Sequence, residues 1–174
     1  MSKKLNIMNI FFEHPTREFN VREIARMLKI SPATASKELK ALKKESLLKE
    51  RKDRIFTFYK ANLESDLYLD NKRFYNIRKI KESGFIEELN KFYLKPTIIL
   101  FGSTSHGLDD ETSDIDLAVI SENTKSIKDL KKFEKKLNKK IQLFALKDVR
   151  DIKNEHLVNN IINGIVLQGQ VKWI

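Results

Sequence analysis

The segment Phe101 to Val119, FGSTSHGLDDETSDIDLAV, gathers the residues best suited to chemistry. A Gly102-Ser103 pair follows an apolar run, Thr97 to Phe101, that reads as a buried strand. Further on, Asp114 and Asp116 open a second apolar run, Leu117 to Ile120. Side chains alternate across a strand, so carboxylates at i and i+2 point to one face. Two such charges repel, and a cation between them relieves the repulsion. Magnesium accepts carboxylate oxygens together with substrate phosphates. Gly102 lets the backbone come close to a phosphate, Ser103 can hydrogen-bond it, and a short helix opening at Ser103 would offer N–H groups to an anion. The chemistry suggested is the holding of a metal-bound nucleoside triphosphate. Each half alone is weak, because an Asp-x-Asp at a strand edge is usually solvated and a lone Gly-Ser carries no meaning.

In combination, the order strand, Gly-Ser, Asp-x-Asp, strand resembles the signature of the DNA polymerase beta-type nucleotidyltransferase superfamily, and most closely its minimal nucleotidyltransferase branch. Gly102, Ser103, Gly107, Ser113, Asp114 and Asp116 all match that pattern. The resemblance implies a small mixed sheet that moves a nucleoside monophosphate from a triphosphate, ATP first among donors, onto an acceptor. It implies nucleotide binding by Gly102, Ser103 and Ser113, and catalytic Asp114 and Asp116 as ligands of Mg2+ (or Mn2+). Relatives of this branch act as antitoxins that modify a partner toxin, so a protein acceptor is expected on resemblance alone. The pattern normally includes a third carboxylate on a later strand. Here the candidate strand, Lys140 to Ala145, carries Gln142 at that place. An amide accepts contacts through its oxygen but has no charge and is no general base. His106 also stands where the family often has Arg, and Asp148 follows the strand and is not assigned to the site.

These residues need a scaffold, and the preceding segments supply a different one. Leu5, Ile7, Met8, Ile10, Phe11 and Phe12 fit a helical face ending near His14-Pro15. Val21, Ile24, Ala25 and Leu28 recur at helical spacing after a candidate cap, Asn20. Ser31 caps a third helix with Pro32 at its first position and Ala35, Leu39 and Leu42 as its buried stripe. Leu47–Glu50 and Ile55–Tyr59 read as strands of a basic hairpin, with Ile55, Phe56, Phe58 and Tyr59 as its core. Three helices and a hairpin make a winged helix-turn-helix, and Ile30 to Leu39 is similar to the recognition helix of prokaryotic winged-helix regulators. Ser31, Ala33, Thr34, Ser36 and Lys37 are small or polar enough to enter a major groove. Lys40 suits a phosphate contact, and Arg51, Lys52 and Arg54 suit a minor groove or backbone.

Charge placement supports that division. Residues 1–60 hold 15 Lys/Arg against 7 Asp/Glu, whereas residues 61–174 hold 19 against 17, so nearly all of the net +10 lies in the first third. A basic unit beside a near-neutral remainder suits a polyanion, here double-stranded DNA, although winged helices also serve as protein–protein modules. The expected organisation is an α/β (α+β) chain with a winged helix at 1–60, a helical bridge at 61–95 and a nucleotidyltransferase-like domain at 96–174. The bridge, two helices broken near Gly84, suits a homodimer surface or a rigid spacer. Beyond the Asp-x-Asp strand, Ser126 to Lys140 reads as a helix with a solvated Lys-rich face, Asn154 to Gly164 as a last helix, and Val166-Leu167 and Val171 to Ile174 as short terminal strands.

Cysteine is absent and the three histidines are scattered, which excludes a disulfide framework and argues against zinc. No apolar run approaches a membrane span and no signal-peptide core is evident, so a cytoplasmic protein is expected. Two functions follow. The first is a Mg2+-dependent nucleotidyltransferase coupled to DNA binding. The second is a DNA-binding regulator or antitoxin whose nucleotidyltransferase domain binds nucleotide but is catalytically degenerate.

Overall fold

Residues 3–171 are described in the computed structural model, with side chains described from Ile7 onward. The chain divides into two compact units, residues 1–72 and 73–174. The first opens with α1 (Lys3–Glu13), β1 (Phe19–Asn20), α2 (Val21–Leu28) and α3 (Pro32–Lys44). Each helix begins where the sequence supplies a cap. Asn20 Oδ1 accepts from Glu23 N at 2.9 Å and Ser31 Oγ accepts from Thr34 N at 3.1 Å, so each satisfies an orphan donor of its first turn. Lys29, at φ 53°, turns the chain between α2 and α3. The strands β2 (Leu48–Asp53) and β3 (Phe56–Ala61) form an antiparallel hairpin, and β1 adds to the far side of β3 in the order β1-β3-β2. Ile7, Phe11, Phe19, Ile24, Leu39, Leu42 and Tyr59 are buried among these elements. This is the winged helix-turn-helix that the spacing predicts.

The hairpin departs from expectation at its tip. Ile55 is 89% exposed and Phe56 is 47% exposed, so neither belongs to a core. Ile55 lies in the turn and Phe56 opens β3, and only Tyr59 of the expected group is fully buried. The side chain of Leu5 and the expected terminal strand residues Lys172, Trp173 and Ile174 lie outside the described residues.

Two helices lead on, α4 (Asp66–Glu82) and α5 (Phe85–Tyr93), separated by Gly84 at φ 81°. Tyr68 of α4 donates its hydroxyl to Phe11 O at 2.9 Å within the first unit. The boundary between the units falls within α4, after Lys72.

The second unit is built on a four-stranded sheet. In chain order come β4 (Thr97–Phe101), α6 (Gly102–His106), β5 (Ile115–Ile120), α7 (Lys131–Leu137), β6 (Ile141–Leu146), a 3-10 turn (Val149–Asp151), α8 (Glu155–Ile162) and β7 (Ile165–Gln168). The order is β6-β5-β4-β7, with β5 and β6 parallel and the other neighbours antiparallel, the mixed sheet expected. Alternation divides its residues cleanly between two cores. Ile98, Leu100, Ile115, Leu117, Val119 and Ile141 pack with Phe85, Leu89, Phe133 and Leu137 of the helices on one face. Ile99, Phe101 and Ala118 pack with Val149 and Ile161 on the other. The helix expected over Ser126 to Lys140 is shorter, spanning only Lys131–Leu137. Asn138 in the left-handed conformation, φ 54°, ends it. Among the described residues no helix is long and apolar enough to cross a membrane.

Candidate functional site

The site lies where β4 gives way to α6. In the antiparallel β4–β5 pair, Phe101 is the register partner of Asp116. Gly102, the next residue, therefore backs directly onto the Asp116 side chain. A Cβ built on Gly102 would stand 2.2 Å from Asp116 Oδ2, closer than any side chain tolerates, and Gly102 adopts φ +69° as well. Any side chain here would have to displace the Asp116 carboxylate and hold a backbone conformation that favours glycine. The Gly-Ser corner and the Asp-x-Asp motif, separated by ten residues in the chain, are thus adjacent, the Asp116 carboxylate filling the space a side chain at Gly102 would take.

Asp114 and Asp116 lie on the same side of β5. Ile115, Leu117 and Val119 enter the core shared with α5 and α7, which leaves the aspartates on the face that carries Ala118. Burial, and then the negative charge of Asp114, push the Asp116 carboxyl above its ordinary range. The two carboxylates therefore sense one another across the face. Asp114 is held at two points. Its carbonyl accepts from Thr104 Oγ1 at 3.0 Å, and its Oδ2 accepts from Gln142 Nε2 at 2.7 Å. Gln142 is the register partner of Asp116 on the parallel strand β6, so it occupies the position a third carboxylate would take. On the same face Phe101 and Phe144 meet with ring centres 5.5 Å apart and planes tilted by 56°.

The donor set tests what the site could hold. Two carboxylates with no thiolate or imidazole beside them suit a hard cation such as Mg2+ or Mn2+, and not zinc. Among the described residues no group of three or more His, Cys, Asp or Glu side chains assembles into a metal cluster. Asp114 and Asp116 fit a cation whose remaining ligands come from a bound phosphate, which is how magnesium is usually held. The hydroxyls of Thr104 and Ser105 serve the backbone, the latter by donating to Gly102 O at 2.7 Å. Ser103 Oγ, by contrast, makes no hydrogen bond within the protein among the described residues.

Ser113 serves the loop leading to β5. Its hydroxyl donates to Asp110 Oδ1 at 2.9 Å and accepts from Asp110 N at 3.0 Å. Hydrogen bonds from Thr112 and Ser113 hold the Asp110 carboxyl down at about 2. The same loop contains an unforeseen network. Lys139, expected on a solvated face, is 16% exposed and pairs at 3.1 Å with Asp109, which is 2% exposed. Asn76 of α4 donates to Asp109 Oδ1 at 2.8 Å and to Thr104 O at 3.0 Å, while Arg73 donates to His106 O at 3.0 Å. No feature of the sequence marks Asp109 or Asn76, since each looks like an ordinary polar residue of a loop or helix.

In the first unit, Ser31, Ala33, Lys37 and Lys40 are exposed along α3, with Thr34 and Ser36 half-buried. Ser31 is engaged as the cap and shares a 2.8 Å hydroxyl contact with Thr34. Lys52 and Arg54 are exposed at the tip of the hairpin. Arg51 is differently placed. Its guanidinium binds both oxygens of Glu18, at 3.0 and 2.7 Å, reaches Asp53 at 3.3 Å, and lies 4.9 Å from the Phe58 ring centre. That bidentate contact raises the Arg51 pKa and lowers that of Glu18.

A family model described as a nucleotidyltransferase domain matches residues 77–166, more than half of the chain. The protein belongs to the nucleotidyltransferase domain family. The model for bacterial regulatory proteins of the arsR family matches residues 2–50, so this nucleotidyltransferase domain follows an arsR-type helix-turn-helix. Membership implies, in general terms, a nucleoside triphosphate substrate and a divalent metal. No curated protein sequence matches the chain. Among solved structures, a possible transcriptional regulator from Methanosarcina mazei Go1 is 22% identical with a TM-score of 0.36, over 53% of this nucleotidyltransferase-family chain and 76% of its own. A candidate transcriptional regulator from Rhodococcus sp. RHA1 is 11% identical with a TM-score of 0.33, over 74% of this chain and 49% of its own. The chain thus spans about half the length of the Rhodococcus protein.

Proposed function

We propose that the second unit binds a nucleoside triphosphate with Mg2+ (or Mn2+), ATP first among donors, and transfers its nucleoside monophosphate to an acceptor hydroxyl. The first unit docks on double-stranded DNA, and the protein works in the cytoplasm. The observation that carries the reading is the contact of Gly102 with Asp116. It leaves the corner open to a polyphosphate beside two carboxylates that repel one another without a cation. Asp114 and Asp116 would hold the metal, which supplies charge neutralisation and in-line positioning when bound. Ser103, with its hydroxyl unengaged, would donate to a phosphate oxygen. In transfer, the acceptor oxygen bonds to the α-phosphorus, the bond to the bridging oxygen breaks, pyrophosphate leaves and the acceptor's proton is released. A protein hydroxyl is the acceptor class favoured, following the resemblance to toxin-modifying relatives.

One observation favours a second reading. Gln142 cannot take the acceptor's proton, and it already satisfies Asp114 at 2.7 Å. On this reading the domain binds nucleotide and regulates without turnover. Incubation with Mg2+, ATP labelled at the α-phosphate and cell extract tests both. Labelled product, lost in Asp114→Asn, supports transfer. Mg2+-dependent ATP binding without labelled product supports the regulator. No binding and no product together would overturn both.

A further inference from the structure

We infer that Lys139 is a positioning residue for the metal-binding aspartates, acting through the loop that delivers Asp114. The inference rests on the nucleotide-binding reading above. Lys139 stands in the turn between α7 and β6, and its ammonium meets three oxygens of a single loop. Asp110 O lies at 2.5 Å, Asp109 Oδ2 at 3.1 Å and Ser113 O at 3.2 Å. Two of these are backbone carbonyls on either side of the Asp110 turn, and Ser113 immediately precedes Asp114.

A lysine that is 16% exposed has given up most of its water, and the arrangement returns three oxygens to its three donors. Asp109, 2% exposed, counts Lys139 and Asn76 among its partners, and a buried carboxylate loses much when a cation facing it is removed. Without the ammonium, the buried Asp109 carboxylate would lose a cationic partner, and two loop carbonyls would lose a donor. The loop could then relax at Ser113, the residue through which Asp114 is aimed. The contacts of Lys139 are with Asp109, Asp110 and Ser113 and not with the Asp114 or Asp116 carboxylates, so its role is to position and not to bind. Of the seven residues from Asn138 back to Lys132, none shares this placement. Lys136 instead donates to Ser83 O, and Lys132 pairs with Glu88 and Asp129.

The test uses the full chain with ATP and Mn2+, reading bound manganese by electron paramagnetic resonance well below each variant's melting temperature. Lys139→Ala should weaken Mn2+–ATP binding roughly 10- to 100-fold, the range seen when an outer partner of a metal site is lost. Asp109→Asn should shift affinity in the same direction. Lys139→Arg, which restores a cation, should recover most of it, and Lys135→Ala on the exposed face of α7 should match wild type. Circular dichroism and melting curves establish folding. If Lys139→Ala does not fold, Asp109→Asn carries the test, because it keeps an oxygen for Asn76. A purely structural role would lower the melting temperature and leave Mn2+–ATP affinity unchanged, and that outcome overturns the inference alone. Absence of Mn2+–ATP binding in the wild type overturns the nucleotide-binding reading and takes the inference with it.

Discussion

Gln142 donates its side-chain N–H to Asp114 Oδ2 across 2.7 Å, from the strand position that faces Asp116 in register. The amide offers a positive group to a carboxylate that stands beside a like charge. A carboxylate in its place would remove that donor and add a third negative charge. Gln142→Glu should therefore lower the melting temperature in EDTA and regain the loss with Mg2+ and ATP. If the missing base is what limits transfer, labelling should rise roughly 10²- to 10⁴-fold, the usual worth of a positioned general base. Unchanged melting in EDTA would show that the amide contact contributes nothing.

The DNA surface makes a graded prediction. Lys37→Ala and Arg54→Ala each remove an exposed cation, and each should weaken duplex binding and lower the slope of log affinity against log salt by about one. Arg51→Ala should act otherwise. Its guanidinium already holds Glu18 and Asp53, so its loss should destabilise the hairpin and change the salt slope less than Arg54→Ala does. Gel shifts over a salt series, with thermal melts beside them, separate the two behaviours.

Capping gives a third. Ser31→Ala removes the acceptor for Thr34 N and should cost about 1 kcal/mol. Chemical denaturation of the variant checks it. A cost near zero would mean that Pro32 alone sets the start of α3.

Acid sensitivity of the Asp110 turn is a fourth. Its carboxyl is held near 2 in the folded protein against an ordinary value of 3.8. A depressed carboxyl stabilises fully above the unfolded value, and the benefit is lost as pH falls through the folded one. The difference in melting temperature between wild type and Asp110→Asn should thus be constant above about pH 5 and shrink toward pH 2. A difference independent of pH in that window would contradict the assignment of the shift to the hydrogen bonds from Thr112 and Ser113.

Much of the fold could be seen in the sequence because local signals agreed with tertiary needs. Asn20 and Ser31-Pro32 mark helix starts by chemistry that acts within four residues, and both function as caps. The placing of Asp114 and Asp116 on one face was legible because it depends on strand alternation alone, whereas the packing of Asp116 against Gly102 depends on the register of β4 with β5. The misreadings came from longer range. Ile55 and Phe56 continue an apolar strand pattern, but pattern cannot say that the tip of the hairpin is left exposed. Lys139 belongs to a lysine run that looks uniformly solvated, and only the folded loop brings buried Asp109 to meet it. Asn76 reaches the same loop from α4, a partnership between residues far apart in the chain that no local periodicity encodes. The early end of α7 rests on Asn138 adopting a left-handed conformation, which several polar residues could have done, and its late start at Lys131 has no side-chain cap to mark it.

The most direct test of the central claim is calorimetry of ATP binding to the wild type and to Gly102→Ala, with and without Mg2+. The new methyl group would fall 2.2 Å from Asp116 Oδ2 and strain a backbone at φ +69°. The expected result is Mg2+-dependent binding by the wild type and none detectable in the folded variant. Equal binding by both proteins, or ATP binding by the wild type that ignores Mg2+, would contradict it.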